Sequence, residues 1–243
     1  LAAAYRKNGQ PAEAKKVYDA ILGLKPEEKD AYFLRGSAEL ELGDYESAKA
    51  DFDKAISMDP KNYDRLIEIY EALADYGYRE VGQEYLQNVL DTAKQLDAYD
   101  SGRIYYYLGD YQKAYLALEE AKGKGGVDSY LYLGKAYAAT GDYNYASSVY
   151  SNYLSKQGPD AEIYNQLGLC ELAKKDYQKA LEAFQAGKQI EGNSLMQTLS
   201  FNEIVAYEYL QDYQKAAVLL NAYLQNYPDD QAAIREQQFL STR

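Results

Sequence analysis

The chain has no histidine, no tryptophan and a single cysteine, Cys170. Without histidine there is no imidazole general base, no Ser-His or Cys-His nucleophile pair and no His-ligated metal. One cysteine supports neither an internal disulfide framework nor a thiolate zinc cluster. Proline is scarce, at five in 243 residues, so little interrupts a helix. No apolar run approaches the ~18 residues of a membrane span. Positive charge is in deficit, 26 Lys and Arg against 38 Asp and Glu, for a net of −12. That sign repels phosphate backbones and anionic lipid, so no nucleic-acid partner and no membrane insertion are expected. Against these shortages stand 47% apolar residues, enough for a core, and 29 tyrosines beside 5 phenylalanines.

The tyrosines are not scattered. Asp-Tyr recurs with Ala three positions on: Asp44-Tyr45 with Ala48, Asp110-Tyr111 with Ala114, Asp142-Tyr143 with Ala146, Asp176-Tyr177 with Ala180, and Asp212-Tyr213 with Ala216. The steps are 66, 32, 34 and 36 residues, the first close to two periods of 34. Ala14 marks an earlier copy, and Gly82 a weaker one where Ala would stand. Seven units follow, at about 1–28, 29–62, 63–96, 95–128, 127–160, 161–194 and 197–230.

Each unit reads as two helices. In 127–160, Tyr130, Leu133, Gly134 and Tyr137 form one helical stripe, and Ala146, Tyr150, Tyr153 and Leu154 a second. Gly141 suits the left-handed end of the first helix, and Asp142 can accept from the first amides of the next. Gly158-Pro159 closes the unit. Small residues at the crossing (Gly36 with Ala48, Gly134 with Ala146, Gly168 with Ala180) permit close approach of the two helices.

This pattern resembles the tetratricopeptide repeat family. The aromatic-x2-Leu-Gly-x2-Tyr, Ala-x3-Phe and Pro signature is strongest at 127–160, 161–194 and 29–62, and the copies cover essentially the whole chain. The resemblance implies an all-α fold, an α-α superhelix built as a right-handed solenoid of antiparallel helix pairs. First helices would line the concave surface and second helices the convex one.

Several departures carry expectations of their own. The first unit starts inside its first helix at Leu1 with no initiator Met, so the natural protein is expected to extend upstream. The third unit is degenerate: Tyr70 replaces the Gly and Gly82 the Ala, a swap of large and small. Residues 63–100 hold nine acids and three bases, half the net charge. Lys122 to Gly126 is expected to shorten the second helix of the fourth unit, and Leu195-Met196 is inserted between the sixth and seventh. Residues 231–243 read as a capping helix with Ile234 and Phe239 inward, since a terminal repeat otherwise exposes a core face.

Candidate chemistry is thin. The Lys122–Gly126 loop lacks the spacing of a phosphate cradle and follows no strand. Glu119/Glu120 and Asp229/Asp230 lie at helix ends or on solvated faces, with nothing to bring two carboxylates into a dry cleft. Cys170, two residues after close-packed Gly168 in a chain without histidine, reads as a small buried residue and not as a nucleophile. No catalytic residue, metal or cofactor is expected.

Sixteen tyrosines have a packing role: Tyr32, Tyr130, Tyr164, Tyr5, Tyr105, Tyr137, Tyr207, Tyr45, Tyr111, Tyr143, Tyr177, Tyr213, Tyr18, Tyr150, Tyr153 and Tyr223. The other thirteen are not required by the repeat. The family resemblance implies that the fifth, ninth and twelfth residues of each first helix face the groove. From those columns the peptide-binding residues are expected to be Phe33, Ile67, Tyr99, Arg103, Tyr106, Leu131, Lys135, Asn165 and Phe201, with Arg103 and Lys135 receiving an acidic group. The same residues are alternatively read as packing between neighbouring first helices.

Three readings of function stay open. The first and favoured one is a non-catalytic interaction scaffold holding a protein or peptide segment in the groove. The second is a peptide-sensing regulatory domain, and the third a self-assembling homo-oligomeric module. The Lys/Asn pattern of the family's chaperone-carboxylate clamp is missing from the groove columns, so that partner is not expected. Location is either cytoplasmic, or the exterior of a bacterial cell envelope if a lipoprotein anchor lies upstream of Leu1.

Overall fold

A computed structural model describes residues 1–121 and 123–242. Among them every regular element is helical, in fifteen helices. The chain divides into two compact units, Leu1–Leu96 and Asp97–Arg243. The first holds α1 (Ala2–Lys7), α2 (Pro11–Leu24), α3 (Lys29–Glu41), α4 (Tyr45–Met58), α5 (Tyr63–Asp75) and α6 (Arg79–Thr92). The second holds α7 (Ala98–Leu108), α8 (Tyr111–Glu120), α9 (Val127–Ala139), α10 (Tyr143–Gln157), α11 (Ala161–Ala173), α12 (Tyr177–Lys188), α13 (Met196–Tyr209), α14 (Tyr213–Asn226) and α15 (Gln231–Leu240). Within each unit, successive helices pack pairwise as antiparallel hairpins.

The Asp-Tyr repeat is a helix start. The carboxylates of Asp44, Asp110, Asp142, Asp176 and Asp212 accept the backbone N–H of Ser47, Lys113, Tyr145, Lys179 and Lys215. Each cap satisfies an amide that the helix itself leaves unpaired. The turn before it needs one residue at positive φ. Glycine supplies it at Gly9, Gly43, Gly77, Gly109 and Gly141, whereas Lys175 (φ 65°) and Gln211 (φ 63°) do so in the last two repeats.

The hairpins close on a glycine under a large side chain. A Cβ on Gly36 would stand 2.8 Å from Phe52 Cε1, one on Gly134 2.2 Å from Tyr150 Cζ, and one on Gly168 2.3 Å from Phe184 Cε1. In the third repeat the sizes are exchanged as expected: the Tyr70 ring lies against Gly82. The Ala column of the repeat (Ala14, Ala48, Ala114, Ala146, Ala180, Ala216) is fully buried. All sixteen packing tyrosines are buried or half-buried, and the exposed ones, Tyr76, Tyr145 and Tyr209, belong to the other thirteen.

The second helix of the fourth repeat, α8, is short at 10 residues, against 14 in α4 and 15 in α10. In the loop that follows, the Gly123 N–H donates to Ser129 Oγ, and Gly125 lies under the Tyr99 ring. Lys122, the first residue of that expected loop, lies outside the described residues, as does Arg243 of the expected cap. The capping helix forms as α15, started by Asp230, which accepts from Ala232 and Ala233. Its inner side differs from expectation. Ala233 and Leu240 are the buried residues and Ile234 is half-buried, while Phe239 is 39% exposed and meets the Tyr213 ring edge-on. Ala233 and Leu240 join the cluster formed by Ile204, Ala216, Leu220 and Tyr223.

Candidate binding face

First helices approach one another directly within each unit. α3 touches α5 in the first, and α7 touches α9 and α9 touches α11 in the second, while among the described residues no second helix makes a comparable approach to the next. Closer spacing on the first-helix side makes it the inner side of each unit.

In the first unit, Phe33 is half-buried and carries the Arg65 guanidinium 4.0 Å above its ring. Arg65 also reaches the Asp30 carboxylate at 2.9 Å. Ile67 is buried and contributes to packing.

The second unit brings seven of the expected residues onto its inner side. Tyr99, Tyr106, Leu131, Lys135 and Phe201 are half-buried, whereas Arg103 and Asn165 are buried. Arg103 is only 7% exposed; it pairs with Asp100 at 2.5 Å and lies 4.3 Å from the centre of the Tyr99 ring. Lys135 Nζ stands 3.5 Å from Glu162 Oε1. Both positive charges are therefore met by carboxylates of the same face.

Each step between first helices is bridged by a polar contact. Tyr107 and Tyr132 share a hydroxyl–hydroxyl hydrogen bond of 2.9 Å between α7 and α9. Lys135 and Glu162 join α9 to α11. The Asn202 amide donates to Asn165 Oδ1 at 2.8 Å, joining α13 to α11. Tyr106 packs edge-on against Tyr107 and Tyr132, completing a cluster of three rings. Leu169, at the ninth place of α11, is 40% exposed.

Tyr107, Tyr132, Glu162 and Asn202 were absent from the expected set. Tyr107, Tyr132 and Asn202, at the thirteenth and sixth places of their repeats, stand one residue aside from the columns read from sequence, and Glu162, at the second place, stands three from the nearest. The signal was present in the tyrosines that the repeat does not require.

A second set also escaped the sequence reading. Glu39 and Glu171 occupy the column filled by Tyr5, Tyr105, Tyr137 and Tyr207, and both are buried. Glu39 lies 3.5 Å from Lys15 and 4.0 Å from Arg35, and Arg35 grips Asp51 through Nε (2.6 Å) and Nη2 (2.8 Å). Burial, then the nearby Asp51 carboxylate, pushes the Glu39 carboxyl up to about 7 despite both cations. Glu171 accepts from Lys174 at 2.8 Å. Next to it, burial pushes the Cys170 thiol up to about 12, the protonated and unreactive form. Among the described residues, no group of three or more His, Cys, Asp or Glu is placed to hold a metal, and no helix is long and apolar enough to cross a membrane.

The repeat geometry agrees with comparisons to known proteins. One tetratricopeptide repeat profile matches residues 1–63 and 131–194, and a second matches 201–230. The chain belongs to the tetratricopeptide repeat family. Proteins of this family are generally non-catalytic scaffolds for protein interaction. A mouse FK506-binding protein-like sequence is 42% identical over 62 residues, which is 26% of this chain and 18% of that protein. Among solved structures, a tetratricopeptide repeat protein from Parabacteroides merdae superposes with a TM-score of 0.58 at 16% identity, over 85% of this chain and 81% of its own. Yeast Tom70 superposes with a TM-score of 0.62 at 16% identity, over 89% of this chain and 48% of its own. At such identities the likeness is one of fold.

Proposed function

We propose that this chain is a non-catalytic interaction scaffold whose inner first-helix face in the second unit holds an extended or helical segment of a protein partner. The observation that carries the reading is the composition of that face. Half-buried Tyr99, Tyr106, Leu131 and Phe201, with the Tyr107–Tyr132 pair and exposed Leu169, present apolar and aromatic surface where a solvated face needs none. Arg103, Lys135 and Asn165 hold the face in shape through Asp100, Glu162 and Asn202. In the first unit Ile67 is buried and Phe33 is half-buried beneath Arg65, so we place the binding face on the second unit.

The test compares inner-face and outer-face variants in capture of partners from the source organism. Tyr106→Ala and Leu169→Ala alter the inner face, and Leu116→Ala and Val218→Ala the exposed outer side of α8 and α14. Partners lost with the inner pair and kept with the outer pair, at unchanged helical circular dichroism, are the expected result. The opposite pattern refutes the reading.

A further inference from the structure

We infer that the outer face of α10 binds carbohydrate, a neutral oligosaccharide with one sugar ring lying on Tyr145 and its hydroxyls met by amide and hydroxyl groups further along the helix. This surface is on the second-helix side, away from the inner face, and either can fail without the other.

A stack of three rings marks the site. Tyr137 of α9 stacks on Tyr115 of α8, with ring centres 4.6 Å apart and planes 12° from parallel, and on Tyr145 of α10, at 5.3 Å and 22°. The Tyr137 hydroxyl donates to Glu119 Oε1 at 3.3 Å, which steadies the middle ring. Tyr145, in the first turn of α10, is 60% exposed. The repeat does not require it. In α8, α12 and α14 the same place holds Lys113, Lys179 and Lys215, and the first two turn back to pair with their cap aspartates at 2.7 Å. In α10 a flat ring stands in water with its plane held by the ring beside it. An aromatic face is apolar and carries partial negative charge. The C–H face of a sugar ring, apolar and slightly positive, is its complement.

The rest of the helix sets the class of ligand. From Tyr143 to Ser155 there is no charged side chain, in a chain that is 26% charged. The Asp142 cap and Lys156 stand at the two ends. Asn144, Ser148, Ser151 and Ser155 are exposed at i, i+4, i+7 and i+11, a stripe about 16 Å long beside Tyr145. Other repeats put charges in these columns, Glu182 where Ser148 stands, and Asp53 and Glu119 where Ser151 stands. Serine and asparagine form helix less readily than glutamate or lysine, so helix formation does not account for them. Ser148 and Ser155 donate to the Asn144 and Asn152 carbonyls, which leaves their oxygens as acceptors. Such groups both donate and accept, as sugar hydroxyls do. An ionic ligand finds no counter-charge along the stripe, and protein interfaces are depleted of serine.

Probing an array of immobilised neutral, uronic-acid and sialylated oligosaccharides with the whole chain tests the inference, with hits titrated by isothermal calorimetry. The variants Tyr145→Lys and Ser148→Glu/Ser151→Glu take residues that the chain's other repeats already carry at these places. Neutral sugars are expected to bind, about tenfold more weakly with Tyr145→Lys and severalfold more weakly with the double variant, at unchanged circular dichroism and unchanged by salt. Sugars bound equally by wild type and both variants would overturn this site. Binding confined to the acidic sugars would overturn the neutral ligand. A protein captured by wild type and lost with Tyr145→Lys, with no sugar bound, would overturn the carbohydrate in favour of a protein partner. Signal no greater than on sugar-free spots would overturn the inference outright.

Discussion

The Tyr70 ring lies directly against Gly82, so that the third repeat crosses its two helices with the large residue on the first and the small one on the second. A Cβ at position 82 would stand 2.9 Å from Tyr70 Cδ2 and 3.1 Å from its Cα. In four other repeats the glycine is on the first helix, Gly36 under Phe52, Gly102 under Leu118, Gly134 under Tyr150 and Gly168 under Phe184. What the crossing requires is one large and one small partner; which helix supplies which is free.

Gly82→Ala is therefore expected to destabilise the chain by about 1–3 kcal/mol through overpacking. In a Tyr70→Ala background the cost should shrink without vanishing, because the ring contact goes while the 3.1 Å approach to the Cα of residue 70 stays. A urea-denaturation double-mutant cycle reads the coupling between the two sites. Additive effects would refute the close approach.

Lys175 and Gln211 adopt the left-handed backbone that glycine takes at the equivalent turns. Side chains there cost about 1–2 kcal/mol. Lys175→Gly and Gln211→Gly should each stabilise by about 1 kcal/mol after the added freedom of the unfolded chain is subtracted. Thermal unfolding of the two variants and of the pair checks this, the expected shift being upward in each case.

Stability should fall between about pH 4.5 and about pH 7. The Glu39 and Glu208 carboxyls are both raised to about 7 from an ordinary 4.5, chiefly by burial. The folded chain holds these protons more tightly than the unfolded chain, so the contribution is complete at low pH and lost as pH rises through about 7. Asp19, held low by Arg35 and Lys15 against the cost of its burial, acts oppositely, and its contribution is lost only at more acidic pH. Glu39→Gln and Glu208→Gln should each flatten the decline in urea midpoint between pH 5 and pH 8. A slope unchanged in both would show that neither group carries the proton.

Cys170 is buried and its thiol is raised to about 12. A disulfide-exchange reagent at pH 8 should label the native chain slowly and the urea-unfolded chain fast. Cys170→Ala should leave partner capture unchanged. Rapid native labelling would contradict the packing described for α11.

Much of this molecule is legible in one dimension because its local rules repeat. The Asp cap, the turn glycine, the buried alanine and the glycine–aromatic crossing each act within about thirty residues, and every copy reinforces the others. The period thus determined the helices, their pairing, the exchange at Tyr70 and Gly82, and the burial of Cys170. The inner face was legible only by column. Counting put Tyr99, Tyr106, Leu131 and Lys135 there as an expectation, and it did not point to Tyr107, Tyr132, Glu162 or Asn202. Each of these meets a residue 25 to 37 positions away, on a side of the helix set by how far one hairpin turns against the next.

The sequence by itself determined an acidic, all-helical repeat chain without histidine. Tertiary structure alone decided the state of its charges. Arg103 and Lys135 read as free cations along the chain, yet Asp100 lies one helical turn away and Glu162 on the next repeat. Glu39, at a tyrosine position, keeps its proton near neutral pH because packing withdraws it from water beside Asp51. Coulomb energy depends on distance and burial in the folded molecule, and neither quantity is written in the order of the residues.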